Sequence, residues 1–401
     1  MYPVYRIAIR YPLSNCQWQW QWASENAIQK MKMASIGNAI LRSTSLPRSG
    51  PYPTPDPFLF CVYHSDDYPA DESGGKMETT FRGNGSDFDP YAPYRMYHGD
   101  LVPGFPQHPH RGFETITATT VGLIDHADSK GNAGRYGEGD VQWMTAGKGI
   151  VHSEMFPLVH ADKPNPLRFF QIWLNLPAKS KMVPPSFAMF WAENIHTWRS
   201  EDGLASATVW SGDYFVSDED REKGKQLNVP PPDSWAANPD NDVAIIHIKV
   251  EPGGTLTIPK ANQAGVDRSM YLTEGHFNKI TVDGQAIDKN VRLEMDATKE
   301  VPIEVNESSV TKNSDRTTTE FLLLQGKPIN EPVAKHGPFV MNKQSEIREA
   351  FMDYSRTQFG GWPWERDDLV FAQDKGRFAL FDGVEIRPPG FVDGEKKEDE
   401  L

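Results

Sequence analysis

Two short motifs, His108-Pro-His110 and His152-Ser-Glu154, restrict the fold of this chain more than any other feature. In a β-strand, side chains two positions apart point to the same face, so His108 and His110 project together, as do His152 and Glu154. Two such strands facing each other would bring three imidazoles and one carboxylate to one point. This donor set predicts a metal site, and it requires a β-structure around that site.

The ligand types limit the metal only loosely. Three imidazoles and a carboxylate leave two positions open on a six-coordinate ion, enough for a bidentate substrate or for a substrate and dioxygen. Mixed nitrogen and oxygen ligation suits iron, nickel, copper, manganese and zinc, so the metal cannot be identified from these residues. Pro109 cannot donate to a β-ladder, which predicts that the histidine pair lies at a strand start or a sheet edge.

Two further residues near the motifs need separate interpretation. Glu114 has even spacing from His110 and would face the same way in a regular strand. Three roles stay open for it: a metal ligand, a hydrogen-bond acceptor in a turn, or, as we favour, the partner that orients a ligand imidazole. His126 lies close to Asp125 and Asp128 in an apparent hairpin, which predicts a solvated turn.

Composition excludes several classes of protein. A length of 401 residues suits two domains with extensions, and the net charge of −14 argues against direct nucleic-acid binding. No stretch is long and apolar enough to predict a membrane span. Two cysteines, Cys16 and Cys61, are too few for a disulfide framework, so we expect unreactive thiols in a reducing compartment.

Short runs rich in β-branched and aromatic residues, separated by glycine-containing turns, predict an all-β sandwich or barrel. A first series spans 57–180, and a second series with the same order of strands and turns spans 243–335, which predicts a duplicated fold. In the second series Pro259-Lys-Ala-Asn-Gln263 stands where the histidine pair would lie, so this copy is predicted to be metal-free. His247 and His276 are isolated and are expected to be structural or exposed.

Three segments flank these series. Residues 1–56 are basic and are predicted to form a disordered extension; an organelle transit peptide, or an upstream start with Met31 or Met33 as the working initiator, are the alternatives. Residues 181–242 form a polar, proline-rich linker. Residues 336–401 are predicted to form a helix, from apolar residues at helical spacing between Ile347 and Tyr354, and an acidic tail.

The chain resembles the pirin family, the two-domain members of the cupin superfamily. Four segments carry this resemblance: Gln107-His-Pro-His-Arg-Gly-Phe-Glu-Thr115, the stretch 139–155 that ends in His152-Ser-Glu-Met155, Lys335-His-Gly-Pro-Phe-Val-Met-Asn342, and Phe359-Gly-Gly-Trp-Pro-Trp364. It implies two tandem β-barrels of the double-stranded β-helix (jelly-roll) type, followed by a C-terminal helix. It also implies one Fe²⁺, bound only in the first barrel, by His108, His110, His152 and Glu154.

The resemblance leads to one functional hypothesis and two alternatives. Our leading hypothesis is a mononuclear iron dioxygenase that cleaves flavonols such as quercetin, with dioxygen as co-substrate and Glu154 as both ligand and proton acceptor. A redox-responsive transcription cofactor acting through a protein partner, and a non-oxidative metal-dependent cupin enzyme, are the alternatives. We expect a cytoplasmic or nuclear location, with organelle import through residues 1–50 as a further option.

Overall fold

The computed structural model describes residues 39–47, 50–79, 94–95, 98–217, 228–275, 279–287, 289–306 and 318–390. Within these ranges the chain is mostly β-structure, as the sequence predicts. Twelve strands precede the second series: β1 (Ile40–Ser45), β2 (Phe58–Tyr68), β3 (Gly104–His110), β4 (Phe113–Val121), β5 (Leu123–Asp128), β6 (Ala133–Gly137), β7 (Val141–Thr145), β8 (Ile150–Met155), β9 (Asn165–Asn175), β10 (Ser186–Phe190), β11 (Thr197–Arg199) and β12 (Ala205–Ser211).

The second half of the described chain adds the remaining strands and the α-helix. The strands are β13 (Ala244–Val250), β14 (Thr255–Ile258), β15 (Asp267–Glu274), β16 (Ile280–Val282), β17 (Gln285–Ile287), β18 (Val291–Met295), β19 (Val301–Val305), β20 (Thr319–Gly326), β21 (Ala334–His336), β22 (Phe339–Met341), β23 (Phe378–Phe381) and β24 (Val384–Ile386). The helix, α1, spans Gln344–Thr357. No helix among these residues combines the length and the apolar character needed to cross a membrane.

The strand order confirms the duplication predicted from the sequence. The first domain contains the sheets β10-β7-β4-β9-β2 and β24-β23-β6-β5-β8-β3, and the second contains β1-β18-β15-β20-β13-β12-β11 and β14-β19-β16-β17. The order β7-β4-β9-β2 in the first domain corresponds strand by strand to β18-β15-β20-β13 in the second. In the same way, β6-β5-β8-β3 corresponds to β17-β16-β19-β14. The two domains therefore have the same topology.

A shared apolar layer joins the two domains. Phe170 and Ile172 of β9 pack in one buried cluster with Ile245 of β13 and Leu322 of β20, so the five-stranded sheet of the first domain packs against the seven-stranded sheet of the second. Cys61 belongs to this cluster and is a buried free thiol; burial raises its pKa, which fits the unreactive thiol predicted from the sequence. Cys16 lies outside the described residues.

The structure corrects the interpretation of all three flanking segments. Residues 40–45 of the extension predicted to be disordered form β1, which pairs with β18 in the second domain. The segment 181–242, in which only 205–210 looked like a strand, contributes β10 to the first domain and β11 and β12 to the second. Strands β1 and β10 pair with strands that are distant in the chain, so their own composition gives little indication of them.

The C-terminal segment is also more than a helix and a tail. Helix α1 forms as predicted, with Ile347 and Ala350 buried, but it ends at Thr357 because Gln358 adopts a left-handed conformation (φ 50°) before the two glycines. Strand β23 then pairs with β6, so the chain returns from beyond the second domain to extend a sheet of the first. Residues 1–38 and 391–401, which include most of the predicted extension and the acidic end, lie outside the described residues.

Candidate metal centre

Strands β3 and β8 pair antiparallel and place His108 directly opposite His152. The ring centroids of His108, His110 and His152 lie 4.4 to 5.0 Å apart. One nitrogen from each ring can be chosen so that all three lie within 4.8 Å of one another, a grouping suited to a metal ion. The three imidazoles predicted from the sequence are therefore brought together, and β3 is the edge strand expected from Pro109.

Backbone carbonyls set the tautomers of the histidine pair. Nδ1 of His108 lies 2.8 Å from the Pro106 carbonyl oxygen, and Nδ1 of His110 lies 3.4 Å from that of Pro338. Since a carbonyl only accepts, each Nδ1 must carry the proton in these bonds, which leaves the lone pair on Nε2. Protein metal sites commonly hold their ligand histidines in this way.

Burial keeps two of the rings neutral. The side chains of His110 and His152 are almost fully enclosed, and desolvation followed by the neighbouring imidazoles holds the pKa of each well below its ordinary value. Both nitrogens of His152 lack a hydrogen-bond partner among the described residues. Buried polar atoms in proteins normally have a partner, and the described residues supply none for the His152 nitrogens. A bound cation would be a suitable partner for these neutral imidazoles.

Glu154 follows His152 by two positions on β8 and is buried, but hydrogen bonds hold its carboxylate. Oε1 accepts from the hydroxyl of Thr117 at 2.8 Å and of Tyr136 at 3.3 Å, and Oε2 accepts from the Gln171 amide at 3.1 Å. Among the described residues, the donor atoms that lie close enough together to share a metal ion are those of the three histidines, without Glu154. Glu154 as a fourth ligand therefore stays a prediction.

Glu114 points elsewhere than the even spacing suggested. β3 and β4 belong to different sheets, so the alternation of faces does not carry across the bend at Arg111 and Gly112. The Glu114 carboxylate accepts hydrogen bonds from the hydroxyls of Thr145 at 2.7 Å and Ser234 at 2.5 Å, and burial raises its pKa to about 7. These contacts tie the first domain to the segment that leads to the second, and the role of orienting a histidine stays a prediction.

The prediction of a solvated turn at His126 is wrong. His126 lies within β5, is fully buried, and stands opposite Glu154 in the pairing of β5 with β8. Its ring centroid is 5.5 Å from that of His152. The polar letters around it suggested solvent, but Asp125 is buried on the opposite face by Arg135, which also donates to carbonyls of the C-terminal segment. Because the C-terminal segment covers the face of β5 that carries Asp125, both faces of this strand are buried.

Two glycines of the motifs are needed because the C-terminal segment packs on them. Gly112 has φ +86°, and a Cβ there would lie 2.0 Å from the Val340 carbonyl oxygen. Gly149 has φ +133°, and a Cβ there would lie 2.7 Å from the Phe359 ring. Any side chain would therefore push this segment away from the loops that precede β4 and β8.

Polar contacts hold the same C-terminal segment against residues 107–112, which are called the histidine loop below. Arg111 donates to Asp353 of α1 at 3.0 Å and lies over the Phe359 ring, 4.5 Å from its centroid. The Gln107 amide donates to the Asp367 carboxylate at 2.7 Å. Sequence reasoning did not detect this clamp, although the motifs 335–342 and 359–364 supply several of the residues that pack there.

The second domain has an apolar pair where the first has histidines. The pairing of β14 with β19, which corresponds to that of β3 with β8, sets Leu256 opposite Ile303 and Ile258 opposite Val301. The counterpart of the histidine strand is therefore 255–258, and not the segment 259–263 that the sequence suggested. His247 is buried and contacts the Glu320 carboxylate at 2.9 Å, as expected for a structural histidine. His276 lies outside the described residues. Among the residues described, the one group of metal donors found lies in the first domain.

Family models identify both halves of this arrangement. The model for pirin matches residues 57–174, and the model for the pirin C-terminal cupin domain matches residues 245–360. The first match contains all the predicted ligands, and the second contains the apolar counterpart.

Several known proteins are similar over most of their length. A Pseudomonas aeruginosa protein provisionally named quercetin 2,3-dioxygenase is 32% identical over 295 residues, covering 72% of this chain and 93% of that protein. Human pirin is 30% identical over 286 residues, covering 68% and 83%. A crystal structure of quercetin 2,3-dioxygenase from Acinetobacter baumannii superposes with a TM-score of 0.56 at 26% identity, covering 76% of this chain and 87% of that one.

Proposed function

The chain belongs to the pirin family, and on that premise we propose that it is a mononuclear metal enzyme that cleaves flavonols such as quercetin with dioxygen. We propose Fe²⁺ as the ion and His108, His110, His152 and Glu154 as its ligands. The observation that carries this proposal is the enclosed group of three imidazoles, in a chain whose relatives include proteins named for that reaction.

The protein's part in this chemistry starts with the three histidines, which would hold the ion. A bound divalent iron would supply Lewis acidity toward a substrate hydroxyl and a redox couple suited to dioxygen. The carbonyls of Pro106 and Pro338 keep the lone pairs of His108 and His110 on Nε2, so little reorganisation is needed on binding.

Glu154 is held in place but not saturated. An ionised carboxylate offers about four lone-pair sites, and hydrogen bonds from Thr117, Tyr136 and Gln171 use three of them. The remaining site can coordinate the ion or accept the proton of a substrate hydroxyl. In either role its three donors fix the direction in which the carboxylate acts.

The surroundings of the histidines suit a flat aromatic substrate. The Trp173 ring packs edge-on to the His110 ring, with centroids 5.5 Å apart. The ring centroids of Phe105 and His108 are 6.0 Å apart. Residues 105–109 of β3 are only partly buried, so the edge strand provides an approach to the cluster. The Lys335 ammonium lies 5.1 Å from the Trp173 centroid, and its positive charge would favour an ionised flavonol at this wall.

Anaerobic purification followed by elemental analysis tests the site. We expect one iron per chain in the wild type and none in His110→Ala. His160→Ala, at a partly exposed histidine beyond the cluster, is the matched control and should keep its metal. Metal content that is equal in all three proteins would refute the site.

Quercetin tests the reaction. Iron-loaded protein should bind quercetin under argon and, on admission of air, consume it with release of carbon monoxide and the ring-opened ester. Flavonol that stays intact after many equivalents of iron-loaded protein and oxygen would refute the proposed activity. Turnover of a candidate substrate with zinc and without oxygen would instead identify a non-oxidative enzyme.

A further inference from the structure

A buried imidazole beside the metal cluster has no role in the function proposed above. His126 is fully enclosed, and neither of its nitrogens has a hydrogen-bond partner among the described residues. Its ring lies 5.5 Å from that of His152 and 5.1 Å from that of Phe187, between the cluster and the apolar interior. Because His126 stands opposite Glu154 on the neighbouring strand, both side chains project to the same face.

Asp128 is the second unusual residue at this position. Its Oδ1 accepts from the backbone N–H groups of Lys130 at 2.7 Å and Asn132 at 3.1 Å, which fixes the carboxylate. Its Oδ2 is buried without a hydrogen-bond partner and lies 3.6 Å from His126 Nε2, too far for a good hydrogen bond. Asp128 stands opposite His152, so the two Cβ atoms are about 4.5–5.5 Å apart.

Three neighbouring buried side chains thus present unpaired polar atoms. Leaving such a group unsatisfied costs about 1–3 kcal/mol, and native proteins seldom accept that cost without a reason. An oxygen atom within hydrogen-bond reach of both His126 Nε2 and Asp128 Oδ2 would satisfy the two together. A buried water typically has about two to four such partners, and His152 offers a third.

We propose that His126 and Asp128 form a hydroxyl-binding position beside His152, filled by a water molecule or by a phenolic hydroxyl of the aromatic substrate. The inference rests on the proposed function, since it takes His152 as a metal ligand. A water there accepts from or donates to the His152 nitrogen that faces away from the ion and so orients the ring. His126 and Asp128 are then positioning residues of the metal centre.

The test compares His126→Phe, which keeps an aromatic ring but removes both nitrogens, with His126→Gln, which restores polar groups. His64→Phe is the matched control, because His64 is buried in the same domain but contacts Tyr68 instead of the cluster. For each protein we would measure Co²⁺ affinity by chelator competition, the visible spectrum of bound Co²⁺, quercetin affinity of the Co²⁺-loaded protein under argon, and urea unfolding of the metal-free protein.

If a water fills the position, His126→Phe should weaken Co²⁺ binding by about 10–100-fold, the range for outer partners of metal ligands, and shift the Co²⁺ spectrum. His126→Gln should recover most of the affinity, and His64→Phe should match the wild type. If the substrate hydroxyl fills it, Co²⁺ affinity stays unchanged while quercetin binding weakens. Asp128→Asn, which keeps both backbone bonds to Oδ1, should act in the same direction and serves if His126→Phe does not fold.

Two results separate the inference from the function on which it rests. Wild-type protein that binds no Co²⁺ would refute the proposed metal site itself. Wild-type protein that binds Co²⁺ and quercetin, with both affinities and the spectrum unchanged in His126→Phe and Asp128→Asn, would refute the hydroxyl-binding position alone. A third result would assign His126 a structural role and also overturn the inference. In that case the metal-free His126→Phe protein loses stability to urea in parallel with its Co²⁺ affinity, and His126→Gln recovers neither.

Discussion

The two domains share a strand order but have opposite interiors. Where β3 and β8 set His108 against His152, β14 and β19 set Leu256 against Ile303, and the second core around that pair is apolar. The first domain encloses imidazoles, carboxylates and a phenol at the corresponding place. A topology that tolerates both interiors does not specify chemistry; the side chains at one strand pairing do.

The polar interior also accompanies a different dependence on the rest of the chain. The sheet that carries the histidines is extended by β23 and β24, and the buried Arg135 donates to Asp125 and to carbonyls between Phe371 and Lys375. The matching sheet of the second domain ends at its own β17. The domain that contains the three histidines is thus completed by residues that follow the second domain in sequence.

The variant with the largest expected effect tests how far the first domain depends on the buried Arg135 and the segment it holds. Asp125→Ala leaves the Arg135 guanidinium buried without its carboxylate, and breaking a buried ion pair costs about 3–5 kcal/mol. We expect urea unfolding to show this loss. Glu294→Ala, which breaks more exposed ion pairs in the second domain, is the control and should cost less than about 1 kcal/mol. Equal losses in the two variants would contradict the proposed difference between the domains.

A reciprocal pair of variants tests the two interiors directly. Ile303→Ala should lower the free energy of unfolding by about 2–5 kcal/mol through lost apolar burial, and should leave metal content unchanged. His152→Ala should abolish metal binding. Unfolding and elemental analysis on both proteins would check this, and metal loss in Ile303→Ala would mean that the two interiors are not independent.

The next effect concerns the link between the domains at Glu114. Its pKa rises from 4.5 to about 7 in the fold, so the folded state binds more protons than the unfolded state between these values. The folded protein therefore loses stability as pH rises through this window, by at most about 3 kcal/mol. Glu114→Gln should remove this part of the pH dependence in urea unfolding from pH 4.5 to 8.

The control for this measurement is Glu304→Gln, at an exposed position in the second domain. It should leave the pH profile of the wild type in place. A Glu114→Gln profile that parallels the wild type at every pH would mean that the carboxyl group does not titrate in this window.

The variant with the smallest expected effect tests the contact between the histidine loop and helix α1. Asp353→Asn weakens the contact with Arg111, and because the carboxylate is partly exposed the loss of stability should be below about 1 kcal/mol. Metal affinity, measured by chelator competition, should fall by about tenfold at most. Glu349→Gln, exposed on the same helix, should change neither quantity; an affinity loss in both variants would point to the helix as a whole.

Sequence spacing gave most of the local structure. Two-residue alternation correctly grouped His108 with His110, which the structure pairs with the strand of His152, and the repeated order of short apolar runs predicted the duplication. Both signals are properties of a single strand or a single series, so they survive without knowledge of the partner. The same rule failed at Glu114, because the chain changes sheets at Gly112 and alternation holds only within one strand.

The sequence by itself determined that His108, His110 and His152 can meet on neighbouring strands, because strand periodicity and residue type are set locally. Only the tertiary structure decided that His126 and Asp128 are buried beside His152, that β1 belongs to the second domain, and that the C-terminal segment clamps the histidine loop. Those features depend on which distant segment covers a given face, and the residues at that face do not encode what will cover them.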